Sequence, residues 1–258
     1  MPELPDVEGF RRFLERRALG QRVRRVDVLD TELVRNCTPR SLHKALVGNR
    51  FGNPRRHGKW LIAPVGEVEV LMHFGMTGAL AWSPTDGHRH IHDRLIFVCE
   101  GGELRYNNMR RFGGVWLAED DEERVQVTGP LGPDAADIGT GDLAALFANR
   151  RGGIKAALMD QRLVAGIGNL MSDEILWRAR VRPRALVQKL NARSRSDVFE
   201  ALRAVVSESS RYGRVPHGQR WLTRVRDDRG AMCPRCGTAL RRATVAGRTA
   251  VWCPRCQR

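Results

Sequence analysis

Near the C-terminus, Cys233-Pro-Arg-Cys236 is followed after 16 residues by Cys253-Pro-Arg-Cys256. Two C-x2-C pairs at that distance match a tetrahedral four-thiolate zinc site. Four thiolates leave no open coordination position, so one zinc held by Cys233, Cys236, Cys253 and Cys256 is expected to be structural. The segment between the pairs, Thr238 to Trp252, reads as a β-hairpin turning at Ala246-Gly247, with Arg248 near its tip. A metal-clamped hairpin carrying Arg241, Arg242 and Arg248 suits phosphate binding. Taken alone it equally suits a small protein-binding ribbon. The other two cysteines, Cys37 and Cys99, are isolated, which excludes a disulfide framework.

A zinc hairpin is too small to account for 258 residues, and that length allows one large domain or two smaller ones, each with its own core. Lys and Arg number 44 against 29 Asp and Glu, a net charge of +15. That excess points first to nucleic acid and second to an anionic membrane surface. The sequence has no basic-then-apolar leader and no long apolar run. A cytoplasmic protein is therefore expected, associated with the nucleoid if the source is bacterial.

Residues 3–19 carry a helical pattern, with Val7, Phe10 and Leu14 on one face and Arg11, Arg12, Glu15 and Arg16 on the other. Strand-like runs follow at 22–29, 60–63, 68–74 and 94–99. Gly101-Gly102 reads as a hairpin turn leading to Leu104-Arg105-Tyr106. Strands recurring at short spacing predict a β-sandwich or barrel in the N-terminal half. After Leu117 the pattern changes. Residues 120–123 form an acidic run, 129–134 read as a linker, and helices are expected at 142–149, 155–160, 172–180 and 197–209. The last of these is expected to be capped by Asp197 with Glu200.

Two stretches carry chemistry. The chain begins Met1-Pro2-Glu3-Leu4-Pro5-Asp6-Val7-Glu8. Removal of Met1 exposes a secondary amine, which can attack a carbonyl-type carbon and form an iminium. An α-amine titrates near 7.7–8, so a useful fraction is nucleophilic at neutral pH. Glu3 stands beside it as a proton carrier. The same residues also suit an ordinary helix start with proline in its first turn. The second stretch is Gly166-Ile-Gly168-Asn169, just before a helix. The helix N–H groups and the Asn169 amide suit an anion such as phosphate; a plain capping asparagine fits as well.

Six markers in order then carry a resemblance. They are Pro2-Glu3-Leu4-Pro5, Arg55-Arg56-His57-Gly58-Lys59, His73-Phe-Gly75-Met76-Thr-Gly78, Arg110-Arg111-Phe112-Gly113, the Gly-Ile-Gly-Asn segment and the four-cysteine hairpin. Together they resemble the formamidopyrimidine-DNA glycosylase and endonuclease VIII family of base-excision repair enzymes, along nearly the whole chain. The resemblance implies an α+β fold: an N-terminal β-sandwich with a leading helix, then a helix–two-turn–helix domain with a zinc-finger hairpin. Its implied divisions are 1–128 (catalytic), 129–139 (linker), 140–226 (helix–two-turn–helix) and 227–258 (zinc finger). It implies a bifunctional glycosylase and abasic-site lyase acting, as a monomer, on double-stranded DNA with damaged bases or abasic sites. Pro2 would attack C1′ and form a Schiff base, and β,δ-elimination would cut the strand. Glu3 would protonate the deoxyribose ring oxygen. Lys59, Asn169 and Arg248 match phosphate-gripping residues, with Lys155 as a further phosphate contact. Glu174 matches an acidic residue of the active site. Met76, Arg110 and Phe112 match the residues that fill the gap left by the extruded nucleotide, Phe112 as an apolar wedge and Arg110 as a fork of donors for the orphaned base.

This sequence departs from the family pattern in three places. Asp6 stands where Glu is common, which shortens a proton relay by one methylene. Asn108-Met109 stands where Asp-Pro is usual. The segment from Gly213 to Arg226 is short, where members that cap 8-oxoguanine carry a longer loop. The lesion class therefore stays open between oxidised purines and oxidised pyrimidines. Two other classes compete: a non-catalytic binder of damaged or structured DNA on the same scaffold, and a zinc-ribbon module for protein or RNA. Retention of Met1 would favour the first of these; the second leaves Pro2, Glu3, Lys59 and the gap-filling set unexplained. His88, His90 and His92 alternate along an exposed turn and are not expected to form a site.

Overall fold

The structure, a computed structural model, describes residues 2–84, 87–139, 147 and 150–258. The helix expected at 142–149 falls almost wholly outside the described residues. Contacts divide the chain into two units: Pro2 with Asp6–Pro130, and Glu3–Pro5 with Leu131–Arg258.

The first unit is a β-sandwich with a helix packed into its core. Helix α1 (Leu4–Ala18) is followed by β1 (Val23–Val28), α2 (Pro39–Leu46), β2 (Arg55–His57), β3 (Trp60–Val65), β4 (Val68–His73), β5 (Gly78–Ser83), β6 (Asp93–Cys99), β7 (Gly102–Asn108), β8 (Gly114–Ala118) and α3 (Asp121–Thr128). One antiparallel sheet runs β1-β6-β7-β5 and the other β2-β3-β4-β8. Alternation sends Leu61, Ala63 and Val65 of β3 and Val70 and Met72 of β4 inward. There they meet Val26, Leu95, Phe97, Leu104 and Tyr106 of the opposite sheet and Val7, Leu14 and Ala18 of α1. Burying side chains of this size contributes about 1.5–3 kcal/mol each, and so the alternation fixes strand register. The outer face of the second sheet keeps its own small cluster, Ile62, Leu71 and Ala118, with Val127 of α3 packed against it.

The second unit holds α4 (Ile154–Met159), α5 (Asn169–Arg178) and α6 (Ala192–Tyr212), followed by the hairpin of β9 (Arg241–Val245) and β10 (Arg248–Trp252). Leu4 contributes to its core with Ile154, Leu158, Ile167, Met171, Ile175, Val198, Leu202 and Val205. Helix α5 is buried from Met171 through Trp177, so it is the axis around which the other elements pack. Helix α6 begins five residues before the expected start. Its cap is Asn191, whose side chain accepts from the Ser194 N–H at 2.8 Å, while Asp197 lies inside the helix. The acidic run at 120–123 is likewise a capped helix start: Asp120 accepts from the Glu123 N–H at 2.8 Å and opens α3. Among the described residues no helix is long and apolar enough to cross a membrane.

Candidate active site and zinc centre

In the second unit, the functional geometry begins with Glu3. The turn before α5 brings three backbone N–H groups onto its carboxylate: Gly168 at 3.0 Å and Met171 at 3.0 Å to Oε2, and Leu170 at 2.7 Å to Oε1. Hydrogen bonds to a charged acceptor are roughly twice as strong as neutral ones, and a helix N-terminus favours an anion. The side chain is fully buried. A Cβ at residue 168 would stand 2.3 Å from the Glu3 carboxyl carbon, so only glycine admits the carboxylate there. Gln161 braces the turn from behind, accepting from the Gly166 N–H at 3.0 Å and donating to the Ile167 carbonyl at 2.9 Å. The anion site expected from the Gly-Ile-Gly-Asn segment thus exists, but Glu3 occupies it rather than a phosphate. The Asn169 side-chain amide makes no hydrogen bond among the described residues.

Two further expected site residues, Lys155 and Glu174, lie inside the second unit. Lys155 is fully buried, with its ammonium on the Asp173 carboxylate, on Ser172 Oγ at 3.1 Å and on the Asn169 carbonyl at 3.3 Å. That geometry ties the ammonium to α5 from within. Burial pushes its pKa down, against the pull of Asp173. Glu174 is also fully buried. Its carboxylate accepts from Arg178 at 2.9 Å and from the Leu222 N–H at 2.8 Å, which anchors the segment after α6. Burial pushes its pKa up, with Arg178 opposing. Arg248 is exposed at the start of β10, just past a turn whose residues Ala246 and Gly247 have φ of 50° and 70°. Two successive left-handed residues are what a tight two-residue hairpin requires.

The first unit places Lys59 in the turn before β3 and Met76, Arg110 and Phe112 on two adjoining loops. Lys59 precedes β3, where Trp60 pairs with His73 across the sheet. The His73 ring lies 4.9 Å from that of Trp60. Burial and the charge of Lys59 hold the His73 pKa down to about 4, which keeps the ring neutral at physiological pH. The loop after His73 carries Met76 and the loop after β7 carries Arg110 and Phe112. Gly75 has φ of 56°, and a Cβ there would stand 2.1 Å from the Phe112 carbonyl oxygen, so the loops touch backbone to backbone. Thr77 Oγ1 accepts from the Arg110 N–H at 3.0 Å and donates to Asn108 Oδ1 at 3.3 Å. Asn108 Oδ1 also accepts from the Arg111 N–H at 3.0 Å, and Asn108 Nδ2 donates to the Phe112 carbonyl and to Tyr106 Oη. Arg111, at φ of 58°, is braced outside by Asp30 and Glu32 at 2.7 and 2.8 Å. Between these supports Phe112 stays 50% exposed, with the Arg110 guanidinium 5.3 Å from its ring centre. Read from the sequence, Thr77 and Arg111 have no role of their own. Only the departure at Asn108 flagged that turn.

The four cysteines come together as expected. Their sulfurs all lie within 4.8 Å of one another, with Cys233 to Cys256 at 4.0 Å and Cys236 to Cys253 at 3.5 Å. Tetrahedral zinc with Zn–S near 2.3 Å places sulfurs about 3.8 Å apart, so the four sulfurs fit one zinc ion. Trp177 of α5 donates from Nε1 to Cys233 Sγ at 3.4 Å, and Gln257 accepts from the Cys253 N–H at 2.8 Å. Such outer contacts fix ligand orientation.

Comparison with known proteins agrees with these features. Family models match in order: the formamidopyrimidine-DNA glycosylase N-terminal domain over residues 1–115, its H2TH domain over 131–216, and the zinc finger found in FPG and IleRS over 232–258. The formamidopyrimidine-DNA glycosylase of Symbiobacterium thermophilum is 35% identical over the whole chain and 89% of its own length. That of Streptomyces coelicolor is 36% identical over the whole chain and 98% of its own. Among solved structures, wild-type Lactococcus lactis Fpg (MutM) bound to DNA containing N7-benzyl-Fapy-dG superposes with a TM-score of 0.89, at 28% identity over 99% of both chains. The complex of Lactococcus lactis Fpg with DNA containing an abasic site gives 0.88, at 27% identity over 99% of both. The chain therefore belongs to the formamidopyrimidine-DNA glycosylase family, DNA glycosylases in the repair of damaged bases.

Proposed function

We propose that the chain is a bifunctional glycosylase and abasic-site lyase that works through the amine of Pro2 on duplex DNA with oxidised bases or abasic sites. The observation that carries this reading is the capture of the Glu3 carboxylate by three N–H groups, next in the chain to Pro2. A carboxylate held in one orientation beside a secondary amine can move a proton at a fixed place. Pro2 nitrogen forms its bond to C1′ as the glycosidic bond breaks, and the base leaves with the electron pair. The Glu3 carboxylate takes the proton that the Pro2 nitrogen loses on attack and delivers it to the deoxyribose ring oxygen as the bond from that oxygen to C1′ opens, which leaves the iminium. Loss of a C2′ proton then expels the 3′ phosphate, and a second elimination expels the 5′ phosphate. Lys59, Asn169 and Arg248 grip phosphates around the lesion, supported by the unused Asn169 amide and by the exposure of Arg248. Met76, Arg110 and Phe112 fill the gap in the stack, supported by the half-exposed Phe112 ring on a hydrogen-bonded loop. Lys155 and Glu174 brace the site from within.

Borohydride reduction on DNA with an abasic site tests the chemistry. The mature protein, with Met1 shown absent by mass spectrometry, is expected to become covalently attached. Pro2→Gly is expected to lose at least about a hundredfold in trapping. A mature protein that binds abasic DNA yet never traps would exclude the covalent mechanism and leave a binder on the same scaffold. Cleavage of duplexes carrying single oxidised purines or pyrimidines assigns the lesion class.

A further inference from the structure

Three charged side chains meet in the interior of the second unit. Lys155 and Asp173 are fully buried and Arg226 is 4% exposed. Asp173 lies four residues after Asn169 on α5, and so on the same face of the helix. One of its oxygens accepts from Lys155 Nζ. The other accepts from Arg226 Nε at 2.9 Å and from the Val251 N–H at 3.2 Å. Arg226 continues to the hairpin and donates from Nη2 to the Thr249 carbonyl at 2.7 Å. Thr249 follows Arg248 directly. Arg242 of β9 reaches back to the carbonyls of Arg226 and Asp228. On the helix side, Lys155 Nζ reaches the Asn169 carbonyl. One carboxylate thus joins the peptide of Asn169, through Lys155, to the strand that carries Arg248, through Arg226 and Val251.

Burying two cations and one anion is a poor way to gain stability, because desolvation consumes most of the Coulombic gain. An apolar packing of similar volume would hold the same elements together. What the charged cluster adds is direction: Arg226 offers a rigid fork and Asp173 fixes where that fork points. We propose that Asp173 and Arg226 are positioning residues for phosphate binding, setting where Arg248 stands relative to Asn169. This rests on the reading of Asn169 and Arg248 as phosphate contacts.

The test is binding of the zinc-loaded full chain to a duplex with a tetrahydrofuran abasic analogue, over a range of salt concentrations. Arg248→Ala is expected to weaken binding about tenfold and to lower the slope of log affinity on log salt by about 0.9, one phosphate contact. Arg226→Met is expected to reproduce both changes, although Arg226 is buried away from solvent. The double variant is expected to be no weaker than either single one. Fold losses that multiply in the double variant, or wild-type binding and slope in Arg226→Met, would overturn the positioning role alone. Should Arg226→Met fail to fold, Arg226→Lys keeps the ion pair with Asp173 but lacks the second arm to Thr249. It is expected to show the same slope loss, and wild-type binding by it would equally overturn the proposal. Full binding by Arg248→Ala would remove the phosphate contact itself, and with it that part of the proposed function.

Discussion

At the scale of single residues, two buried carboxylates have their oxygens already committed. Glu3 has three N–H donors, and Glu174 has Arg178 and a backbone N–H. His73 shows what burial beside a cation costs in acid. Its pKa is held down to about 4 in the native chain against 6.5 for an ordinary histidine. Between those values the unfolded chain binds a proton that the native chain refuses, so stability falls as pH drops from about 6.5 to about 4. His73→Gln is expected to flatten that limb of the stability–pH curve. Urea midpoints for both proteins at pH 5 and pH 7 check it. An unchanged difference between the two pH values would mean that other groups govern the acid limb.

At the scale of elements, the paired loops after β4 and β7 hold the proposed wedge. Asn108 is their shared fastener, because its amide offers a donor to Phe112 and an acceptor to Arg111 at once. Asn108→Ala is expected to reduce excision from duplex DNA at least about tenfold, because it removes all four side-chain hydrogen bonds of the fastener. Cleavage of a single-stranded abasic oligonucleotide, which has no gap to fill, is expected to stay near wild type. Equal losses on both substrates would assign Asn108 to general folding instead. Much of this level was legible beforehand. The runs of β3, β4 and β6, the helix after Asn169 and the turn at Ala246-Gly247 declare themselves by alternation, periodicity and turn chemistry. Strands β5 and β8 did not, because Gly78-Ala-Leu-Ala-Trp-Ser83 and Gly114-Val-Trp-Leu-Ala118 begin at glycine and are mostly small or apolar. Helix α3 was hidden because its first turn is wholly acidic, which reads as solvated charge until Asp120 is recognised as a cap. The burial of Lys155 was hidden for a related reason. A lysine near a motif suggests phosphate, and nothing local shows that Asp173, 18 residues on, has already claimed it.

At the scale of the whole molecule, each of the two units has its own apolar core, while the zinc centre ties α5 to the hairpin through Trp177 and Cys233. Stripping the metal with a strong chelator removes the bonds that hold the two Cys-Pro-Arg-Cys turns together, and the freed thiols take up protons. The hairpin is expected to loosen, tryptophan emission to change, and affinity for abasic-analogue DNA to fall at least about tenfold. The sheet signal in circular dichroism is expected to persist, because the sandwich core contains no zinc ligand. Collapse of the whole spectrum would mean that the sandwich depends on the zinc centre for its folding.

The bonds of Glu3 span 165, 167 and 168 residues of sequence. During synthesis the third residue leaves the ribosome among the first, yet its partners are made only when about two-thirds of the chain has followed. Leu4 waits alongside it, because its packing place lies among residues of the second unit. Such remote pairings close late and slowly. A nascent chain therefore carries its proposed nucleophile for most of its translation without the carboxylate geometry on which the proposed chemistry rests. An N-terminal fusion tag would block the amine, whereas a C-terminal tag leaves this last closure untouched.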